Sequence, residues 1–369
     1  MANETFKKRK GFRRLSLLLS IILVLSVLLT GCTDEQVEEG VGIAIDILME
    51  AIGTEDDSTP QDTTQVPSTN STQNSDNVQV EGSMEIHFID VGQADAALII
   101  QGDEVMLFDA ATKGRGDELV EYIQSLNIDY IDVVVLSHPH DDHMGGAGKL
   151  LNSSIKVGKL YAPDIFELMD TQDAPGWYED MIDAIDRIDN ELNQGIPENQ
   201  QTSIWHFPRN EAGEFAKFNI GDAIVEFYAP LEDEYSDKND YSICAKVSFG
   251  TIDIMFTGDA TVEVEKALIE KGYDLDVEIF QSGHHGSDTS NSEEFLDAMS
   301  PEAIVISCGM GNKYNHPVKS IIELFKDMKL PVYRTDESGN IVMTTDGTTY
   351  SFNVEPGTYT PGEDYRKGK

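Results

Sequence analysis

Residues 138–143 place three histidines and two aspartates within six positions, directly after an apolar run. His138 and His140 are two positions apart, and alternate residues of an extended chain share a face, so both imidazoles can reach one ion. The next turn carries Asp142 and His143 toward a second, neighbouring point. Imidazole and carboxylate groups are ligands for zinc and similar divalent ions. The loop therefore predicts two adjacent metal positions rather than an ordinary polar surface loop.

Residues 1–31 have the pattern of a secretory signal peptide. A basic cluster at 7–14 precedes an apolar stretch at 15–29 that is short for a membrane-spanning helix. The stretch leads into Leu-Thr-Gly-Cys ending at Cys32, which resembles a bacterial lipobox, where a peptidase cuts before the cysteine and a diacylglyceryl group is attached to it. We therefore expect lipidation of Cys32 and a protein that is anchored to the membrane on its extracellular side. A signal anchor with an incidental cysteine is the alternative.

The composition changes twice after Cys32. Residues 32–83 are first acidic and then rich in Ser, Thr, Gln and Asn, with too few large apolar side chains to form a core, which predicts a disordered tether. Residues 84–369 are predicted to fold, and they contain 54 acidic and 20 basic residues. This excess of acidic residues gives the folded part a strongly negative net charge, which repels polyanions. A nucleic-acid substrate would therefore need local basic groups and metal ions. Cys244 and Cys308 each lie in an apolar run, which predicts buried free thiols.

Short apolar runs bounded by turns predict strands through most of residues 84–369. Helical spacing at 117–126, 262–271 and 293–299 separates groups of these runs. Two β-rich halves with helices outside indicate two sheets packed face to face between helical layers. The segment 164–194 is a helical, acidic insertion, and it is either a lid over the site or a peripheral helical hairpin.

Six sequence blocks, in the same order, resemble the metallo-β-lactamase fold superfamily, and within it the hydrolase domain of competence proteins of the ComEC type. The blocks are FIDVGQADA at 88–96, SHPHDDH at 137–143, TGD at 257–259, GHHGS at 283–287, SCGMGNKYNHP at 307–317 and a block beginning RTD at 334–341. Ala94 replaces a glycine of the family pattern. The resemblance implies an α/β fold, the metallo-β-lactamase-like αββα four-layer sandwich, over residues 84–369.

The later blocks add candidate metal ligands. Asp259 follows an apolar run and a glycine, so its carboxylate can lie at a strand end and bridge two cations. His284 and His285 also follow a strand pattern, and because neighbours on a strand face opposite ways, only one should bind metal directly. The resemblance favours His285, with His284 nearby or transferring protons. Asn239 stands in the stretch where typical members have a further histidine, so the first metal should be weakly held and tolerant of manganese.

We expect two divalent metal ions, zinc or manganese, that hold a hydroxide between them and polarise a substrate oxygen. The predicted ligands are His138, His140, Asp142, His143, Asp259, His285 and Asn239. The candidate catalytic residues are Asp142, His284, His316 and Lys313, the last three of which would contact the substrate or protonate the leaving group. His206 is expected to pack in an aromatic cluster.

The resemblance implies an extracellular, lipid-anchored hydrolase of a phosphodiester-type substrate, as a phosphodiesterase or nuclease of the ComEC-like type. The substrate would be DNA or a cell-envelope polymer that carries phosphocholine or teichoic-acid groups, and the acidity of the chain favours the polymer over long DNA. The superfamily also hosts lactamases and thioesterases, so the fold alone does not decide the reaction. A non-catalytic, metal-stabilised surface binding module is the alternative from another class. Competence or envelope partners stay unidentified.

Overall fold

The computed structural model describes residues 80–169, 174–197 and 200–367. The predicted signal peptide, Cys32 and the predicted tether up to residue 79 lie outside these ranges. Within them, none of the helices combines the length and the apolar character that are needed to cross a membrane.

Fifteen strands in the described ranges form two sheets. They are β1 Met84–Phe88, β2 Ala97–Gln101, β3 Glu104–Phe108, β4 Tyr130–Val135, β5 Lys156–Tyr161, β6 Trp205–His206, β7 Lys217–Ile220, β8 Ala223–Phe227, β9 Ala245–Phe249, β10 Ile252–Phe256, β11 Ile279–Gln281, β12 Ala303–Ile306, β13 Val332–Arg334, β14 Ile341–Thr345 and β15 Tyr350–Phe352. The first sheet has the order β15-β14-β1-β2-β3-β4-β5-β6, and the second has the order β13-β12-β11-β10-β9-β8-β7.

Helices follow many of the strands. They are α1 Gly116–Ser125, α2 Asp141–Met144, α3 Ala147–Leu151, α4 Phe166–Met169, α5 Gly176–Leu192, α6 Val262–Lys271, α7 Glu293–Met299, α8 Lys319–Asp327, α9 Thr335–Ser338 and α10 Gly362–Lys367. Helix α7 begins where the Ser292 hydroxyl accepts a hydrogen bond from the Phe295 amide at 3.2 Å, as a capping residue should. Helix α8 buries Ile321, Ile322 and Phe325, which share one face at helical spacing.

Three clusters of buried apolar side chains define four layers. Along β3, Leu107 belongs to the cluster under α1, α3 and α5, whereas Phe108 belongs to the cluster between the sheets, as the alternation of a strand requires. The Phe108 ring lies 5.0 Å from the Phe256 ring of the second sheet. The third cluster packs Phe280 against α6, α7 and α8. The predicted αββα four-layer sandwich is confirmed.

The insertion forms helices α4 and α5 on the outside of the first sheet. Trp177 and Tyr178 are buried in the cluster that α5 shares with this sheet. Their side chains therefore serve packing, which favours the peripheral hairpin over a lid. Cys244 and Cys308 are buried and free, as the sequence predicts.

Parallel strands bring several polar residues to one edge of the sandwich. Strands β3, β4 and β5 are parallel in the first sheet, and β10, β11, β12 and β13 are parallel in the second. Asp109 follows β3, Ser137 follows β4, and Asp259 follows β10. The amide of Ile243 donates a hydrogen bond to the carbonyl of Ser137 at 3.0 Å, which joins the two sheets beside these strand ends. Ligand sites of open α/β sheets form at such carboxyl ends.

Candidate metal centre

Two groups of side chains meet at this edge, and each could hold a metal ion: His138, His140 and Asp259, and Asp142, His143 and His285. A further set, Asp95, Asp109 and His143, is also close enough to hold an ion; within each of the three the ligand atoms lie within 4.8 Å of one another. Asp259 faces both groups, since its Oδ2 lies 3.5 Å from His138 Nε2 and its Oδ1 lies 3.1 Å from His143 Nε2. One carboxylate is therefore placed to serve two neighbouring cations.

The loop after β4 is shaped to bring its histidines together. His138 follows the strand, and the amide of Met144 donates to the carbonyl of His140 at 2.9 Å, which starts α2 and turns His143 inward. The loop that carries Asp259 lies against it at Gly258, whose φ is 52°. A Cβ at Gly258 would lie 2.7 Å from Ser137 Oγ. Glycine therefore permits both the left-handed backbone and the close approach of the two loops.

Two further buried aspartates lie behind histidines of the centre. Asp109 accepts hydrogen bonds from the Ser137 amide at 2.7 Å and the Ser137 hydroxyl at 2.8 Å, and its Oδ2 lies 2.7 Å from His143 Nδ1. We interpret Asp109 as a support of His143 rather than a ligand, because both of its oxygens are already engaged. Asp95 Oδ1 lies 3.0 Å from His285 Nδ1, but this nitrogen is hydrogen-bonded to the Ser307 carbonyl at 3.0 Å, and Asp95 Oδ1 makes no hydrogen bond to the described residues. Sequence reasoning missed both aspartates, although Asp109 ends a strand as Asp259 does.

The charges of the centre complement one another. Burial alone would lower the pKa of His143, but the carboxylates of Asp259 and Asp109 hold it well above its ordinary value. Burial alone would raise the pKa of Asp259, but His143, His138 and His285 hold it well below the usual range. Asp142 likewise has a lowered pKa, because His285 and His143 outweigh its burial. Both aspartates are therefore in the ionised form that binds cations.

Three buried atoms at the meeting point make no hydrogen bond within the described ranges: His143 Nε2, Asp259 Oδ1 and His285 Nε2. The first two are 3.1 Å apart but are not aligned as a hydrogen bond. A buried polar atom without a partner is costly. A divalent cation would satisfy all three atoms, and nitrogen and oxygen donors suit zinc and manganese. The residues present therefore fit a metal ion.

His284 and His285 depart from the strand geometry expected of them. They lie in a 3₁₀ turn at Gly283–Gly286, after β11 has ended, and their φ angles are 50° and 56°. His285 Nε2 lies 3.5 Å from Asp142 Oδ2, and His284 Nε2 lies 3.3 Å from Asp259 Oδ2. The premise that neighbouring residues here face opposite ways is wrong, because the left-handed backbone turns both rings toward the cluster. Strained backbone of this kind concentrates at functional sites.

The comparison with known proteins agrees with this arrangement. A model of the metallo-beta-lactamase superfamily matches residues 89–309. The chain belongs to this superfamily.

Curated relatives of this chain include competence proteins of the ComEC type, as the sequence resemblance predicts. The chain is 23% identical over 296 residues to ComE operon protein 3 of Bacillus subtilis, covering 74% of this chain and 34% of that protein. It is 28% identical over 255 residues to competence protein ComA of Neisseria gonorrhoeae, covering 68% and 30% respectively. The chain thus spans about a third of the length of these relatives.

Among solved structures, the metallo-beta-lactamase fold protein YhfI from Bacillus subtilis resembles this chain with a TM-score of 0.45. The two are 13% identical, and the match covers 72% of this chain and 100% of YhfI.

Asn239 is the residue that the sequence resemblance proposes in place of a further histidine. It lies in the 3₁₀ turn Lys238–Tyr241 before β9 and is buried. Its Oδ1 makes no hydrogen bond to the residues that the structure describes. His206, the other histidine of this interval, lies 5.5 Å from the Tyr161 ring and packs as an aromatic residue, as expected.

His316 reaches the centre from the loop after β12. Its ring lies 5.4 Å from His284 and 6.1 Å from His285. The side-chain oxygen Oε1 of Gln93 accepts a hydrogen bond from the Gly309 backbone amide at 3.0 Å. The side-chain nitrogen Nε2 of Gln93 is therefore the atom that faces His316 Nδ1, at 3.4 Å. Because an amide nitrogen only donates, Nδ1 accepts, and Nε2 carries the hydrogen of the neutral ring. Burial, with the neighbouring His285 and His284, lowers the pKa of His316 to about 3.

Lys313 lies farther out on the same loop. It is fully exposed, and its Nζ lies 4.6 Å from the centre of the Tyr314 ring, itself half exposed. The Tyr314 ring in turn stacks on His316 at 5.6 Å. His316 therefore lies inside the candidate metal centre, and Lys313 lies at its rim. Among the described residues, Lys313 makes no contact with the His/Asp groups.

Proposed function

We propose that this chain is a hydrolase of phosphodiester bonds that uses two divalent cations, zinc or manganese. The observation that carries the proposal is the set of buried, unpartnered atoms on His143, Asp259 and His285. The first cation would be held by His138 and His140, with Asn239 as an oxygen donor, and the second by Asp142, His143 and His285. Asp259 would be shared, since its two oxygens face different histidines.

Divalent cations at these positions would supply Lewis acidity, which lowers the pKa of water and draws charge from a phosphoryl oxygen. His316 would donate a hydrogen bond from Nε2 to a substrate oxygen on which charge develops. Its low pKa favours this role over protonation of the leaving group. His284 is partly exposed and its Nε2 lies 3.3 Å from Asp259 Oδ2, so this nitrogen can pass a proton between the cluster and solvent. Asp142 acts as a ligand because it is held ionised.

The substrate we favour is a nucleic acid that is short or single-stranded. Relatives named for competence support a nucleic acid. The formal charge of −41 opposes a long polyanion. Two residues at the rim suit a single strand: Lys313 can contact a phosphate, and Tyr314 can stack on a base.

A phosphodiester of the cell envelope, such as a phosphocholine or teichoic-acid group, is the second candidate. The acidic surface favours a phosphocholine group, which carries a cationic ammonium, and the lipid anchor predicted at Cys32 would place the chain on the extracellular face of the membrane beside such polymers. Replacing Cys32→Ser should leave the precursor uncut or release the protein from membranes. A Cys32→Ser protein that is processed and membrane-bound as before would refute the anchor.

Hydrolysis can be tested with the full-length chain and either manganese or zinc. The substrates are bis(p-nitrophenyl) phosphate, single-stranded DNA, duplex DNA, p-nitrophenylphosphocholine and nitrocefin. We expect turnover of bis(p-nitrophenyl) phosphate that is lost in Asp259→Asn and kept in His206→Ala, a histidine variant outside the centre. Turnover of nitrocefin alone would contradict the proposal. Metal binding without turnover of any substrate would favour the binding module.

A further inference from the structure

Lys238 is a basic residue that lies beside the candidate metal centre. It begins the 3₁₀ turn before β9, and this turn is fastened to the loop that carries Asp259. The Asp259 amide donates a hydrogen bond to the Ser242 hydroxyl at 3.1 Å, and the Thr261 hydroxyl donates to the Asp240 carboxylate at 2.6 Å. Lys238 is therefore held at the same edge of the sandwich as the His/Asp groups.

The side chain of Lys238 extends toward the helical insertion. Helix α4 follows the carboxyl end of β5, so it also lies at this edge of the sandwich. Lys238 Nζ lies 3.7 Å from Met169 Sδ of this helix. Burial lowers the pKa of His140, and the charge of Lys238 lowers it further, although the nearby carboxylates oppose both effects. The ammonium group of Lys238 is therefore close to both the insertion and the first metal position.

Among the described residues, this ammonium group has no carboxylate partner. The hydrogen-bond acceptor that it has there is the thioether of Met169, which is weak and neutral. Lys113 differs: its backbone amide contacts Asp141 of the histidine loop, but its Nζ is paired with Asp180 at 2.6 Å. The chain has 67 acidic and 26 basic residues, so a partly buried lysine that keeps an unpaired charge beside the metal centre is unusual for it. Lys238 is available to bind an anionic group of a ligand.

Lys238 and Lys313 lie on opposite sides of the metal centre. In the second sheet, the turn of Lys238 precedes β9 and the loop of Lys313 follows β12, with β10 and β11 between these strands. Asp259 follows β10, and His285 follows β11. Three strand spacings of about 4.8 Å separate β9 from β12 by roughly 14 Å. A substrate that contacts both lysines must therefore extend across the metal centre, with a phosphate on each side of the one that is cleaved.

We propose that Lys238 binds the phosphate next to the one that is cleaved, in a single strand of nucleic acid that crosses the metal centre from Lys238 to Lys313. The inference rests on the proposed function, and it assigns Lys238 as a residue that favours a polymer over an isolated phosphodiester. An ammonium group makes a charge-assisted hydrogen bond to a phosphate oxygen and reads no base, so the contact is independent of sequence. Bis(p-nitrophenyl) phosphate has one phosphate and gains nothing from Lys238.

Steady-state hydrolysis by the full-length chain with manganese tests the inference. The substrates are a single-stranded oligonucleotide and bis(p-nitrophenyl) phosphate. We expect Lys238→Gln to lower kcat/KM for the oligonucleotide by about tenfold, mainly through KM, and to leave kcat/KM for bis(p-nitrophenyl) phosphate within about twofold. Lys238→Arg keeps the charge and should keep most of the oligonucleotide activity. Lys156→Gln makes the same charge change on an exposed residue at the amino end of β5, at the opposite edge of the sandwich, and should alter neither activity.

Three results would overturn the inference. Equal losses for the two substrates in a folded Lys238→Gln protein would indicate damage to the metal centre rather than a lost contact with the substrate. Unchanged oligonucleotide activity would show that there is no such contact, and an equal effect of Lys156→Gln would show that net charge alone is responsible. Circular dichroism checks the fold, and Lys238→Met, which keeps the apolar stem beside Met169, takes the place of Lys238→Gln if that variant does not fold.

The inference and the proposed function fail in different ways. Binding of a fluorescent phosphorothioate strand that resists hydrolysis, measured by anisotropy with manganese present, does not require turnover. Binding that weakens about tenfold in Lys238→Gln, without hydrolysis of any substrate by the wild type, would refute the function and support the contact. Hydrolysis of both substrates that does not depend on Lys238 would refute the contact and leave the function intact.

Discussion

A neutral imidazole suits hydrogen-bond donation, and His316 is held neutral at the inner end of the loop after β12. We expect His316→Gln, which keeps a donor, to retain kcat within about tenfold, and His316→Ala to lower kcat by about 10²-fold. The measurement is steady-state hydrolysis of bis(p-nitrophenyl) phosphate near neutral pH. If glutamine proved as damaging as alanine, His316 would instead be acting through proton transfer.

Residue types and their spacing were sufficient to predict the ligand candidates but not their supports. Asp259 and His285 follow strand patterns, and strand ends can be recognised from the apolar runs before them. Asp109 is important because of the ring nitrogen of His143 that it faces, and this depends on contacts between loops far apart in the chain. The same limit explains the wrong premise about His284 and His285, since both histidines themselves adopt the left-handed backbone between Gly283 and Gly286, and a histidine gives no sign of this in a sequence.

At the scale of elements, β13 and the C-terminal segment are joined by one buried guanidinium. Arg334 donates to both carboxylate oxygens of Asp336, at 3.0 and 2.9 Å, and to the carbonyls of Thr358 and Thr360. Arg334 is fully buried, and Asp336 is nearly so. The contacts hold residues 358–360 beside the turn that follows β13.

Arg334→Met should lower the free energy of unfolding by about 3–5 kcal/mol, because it leaves the carboxylate of Asp336 buried and unpaired. Urea unfolding measures the change. Arg115→Met is the matched control: Arg115 pairs with Glu118 in solvent, so its loss should cost no more than about 1 kcal/mol. Equal losses in the two variants would show that the buried network does not stabilise the fold.

The elements themselves were largely predictable. The helices predicted at 262–271 and 293–299 coincide with α6 and α7, because apolar periodicity and a capping serine or a C-terminal glycine mark their ends. The resemblance supplied the four-layer sandwich, but the order of strands within each sheet depends on tertiary contacts and was not predicted. The sequence did not decide whether 164–194 is a lid or a peripheral hairpin, because the burial of Trp177 and Tyr178 depends on the face that α5 presents to the sheet.

At the scale of the whole molecule, the acidic surface should control encounters with polyanions. Raising the ionic strength from low values to about 0.1 M shortens the Debye length to about 10 Å. We therefore expect kcat/KM for single-stranded DNA to rise over this range, while kcat/KM for bis(p-nitrophenyl) phosphate changes little. A steady fall for DNA would show that basic groups, rather than the net charge, dominate the encounter.

Metal ions should also stabilise the whole fold, since the centre joins loops from both sheets. A free ion concentration 100-fold above its Kd stabilises the native state by about 2.7 kcal/mol if unfolded chains do not bind it. Chelation should therefore lower the Tm of the loaded protein, and added manganese or zinc should restore it. An unchanged Tm in the presence of excess chelator would argue against an ion that bridges these loops.

The central claim is that the cluster around Asp259 binds divalent cations. The most direct measurement is elemental analysis of the full-length chain after it is saturated with zinc or manganese and freed of unbound metal, alongside Asp259→Asn and the control His206→Ala. We predict up to two ions per wild-type and His206→Ala chain, at least one of which survives the removal of unbound metal, and a marked loss in Asp259→Asn. A wild-type chain without bound transition metal, or an Asp259→Asn chain that keeps its full complement, would contradict the account.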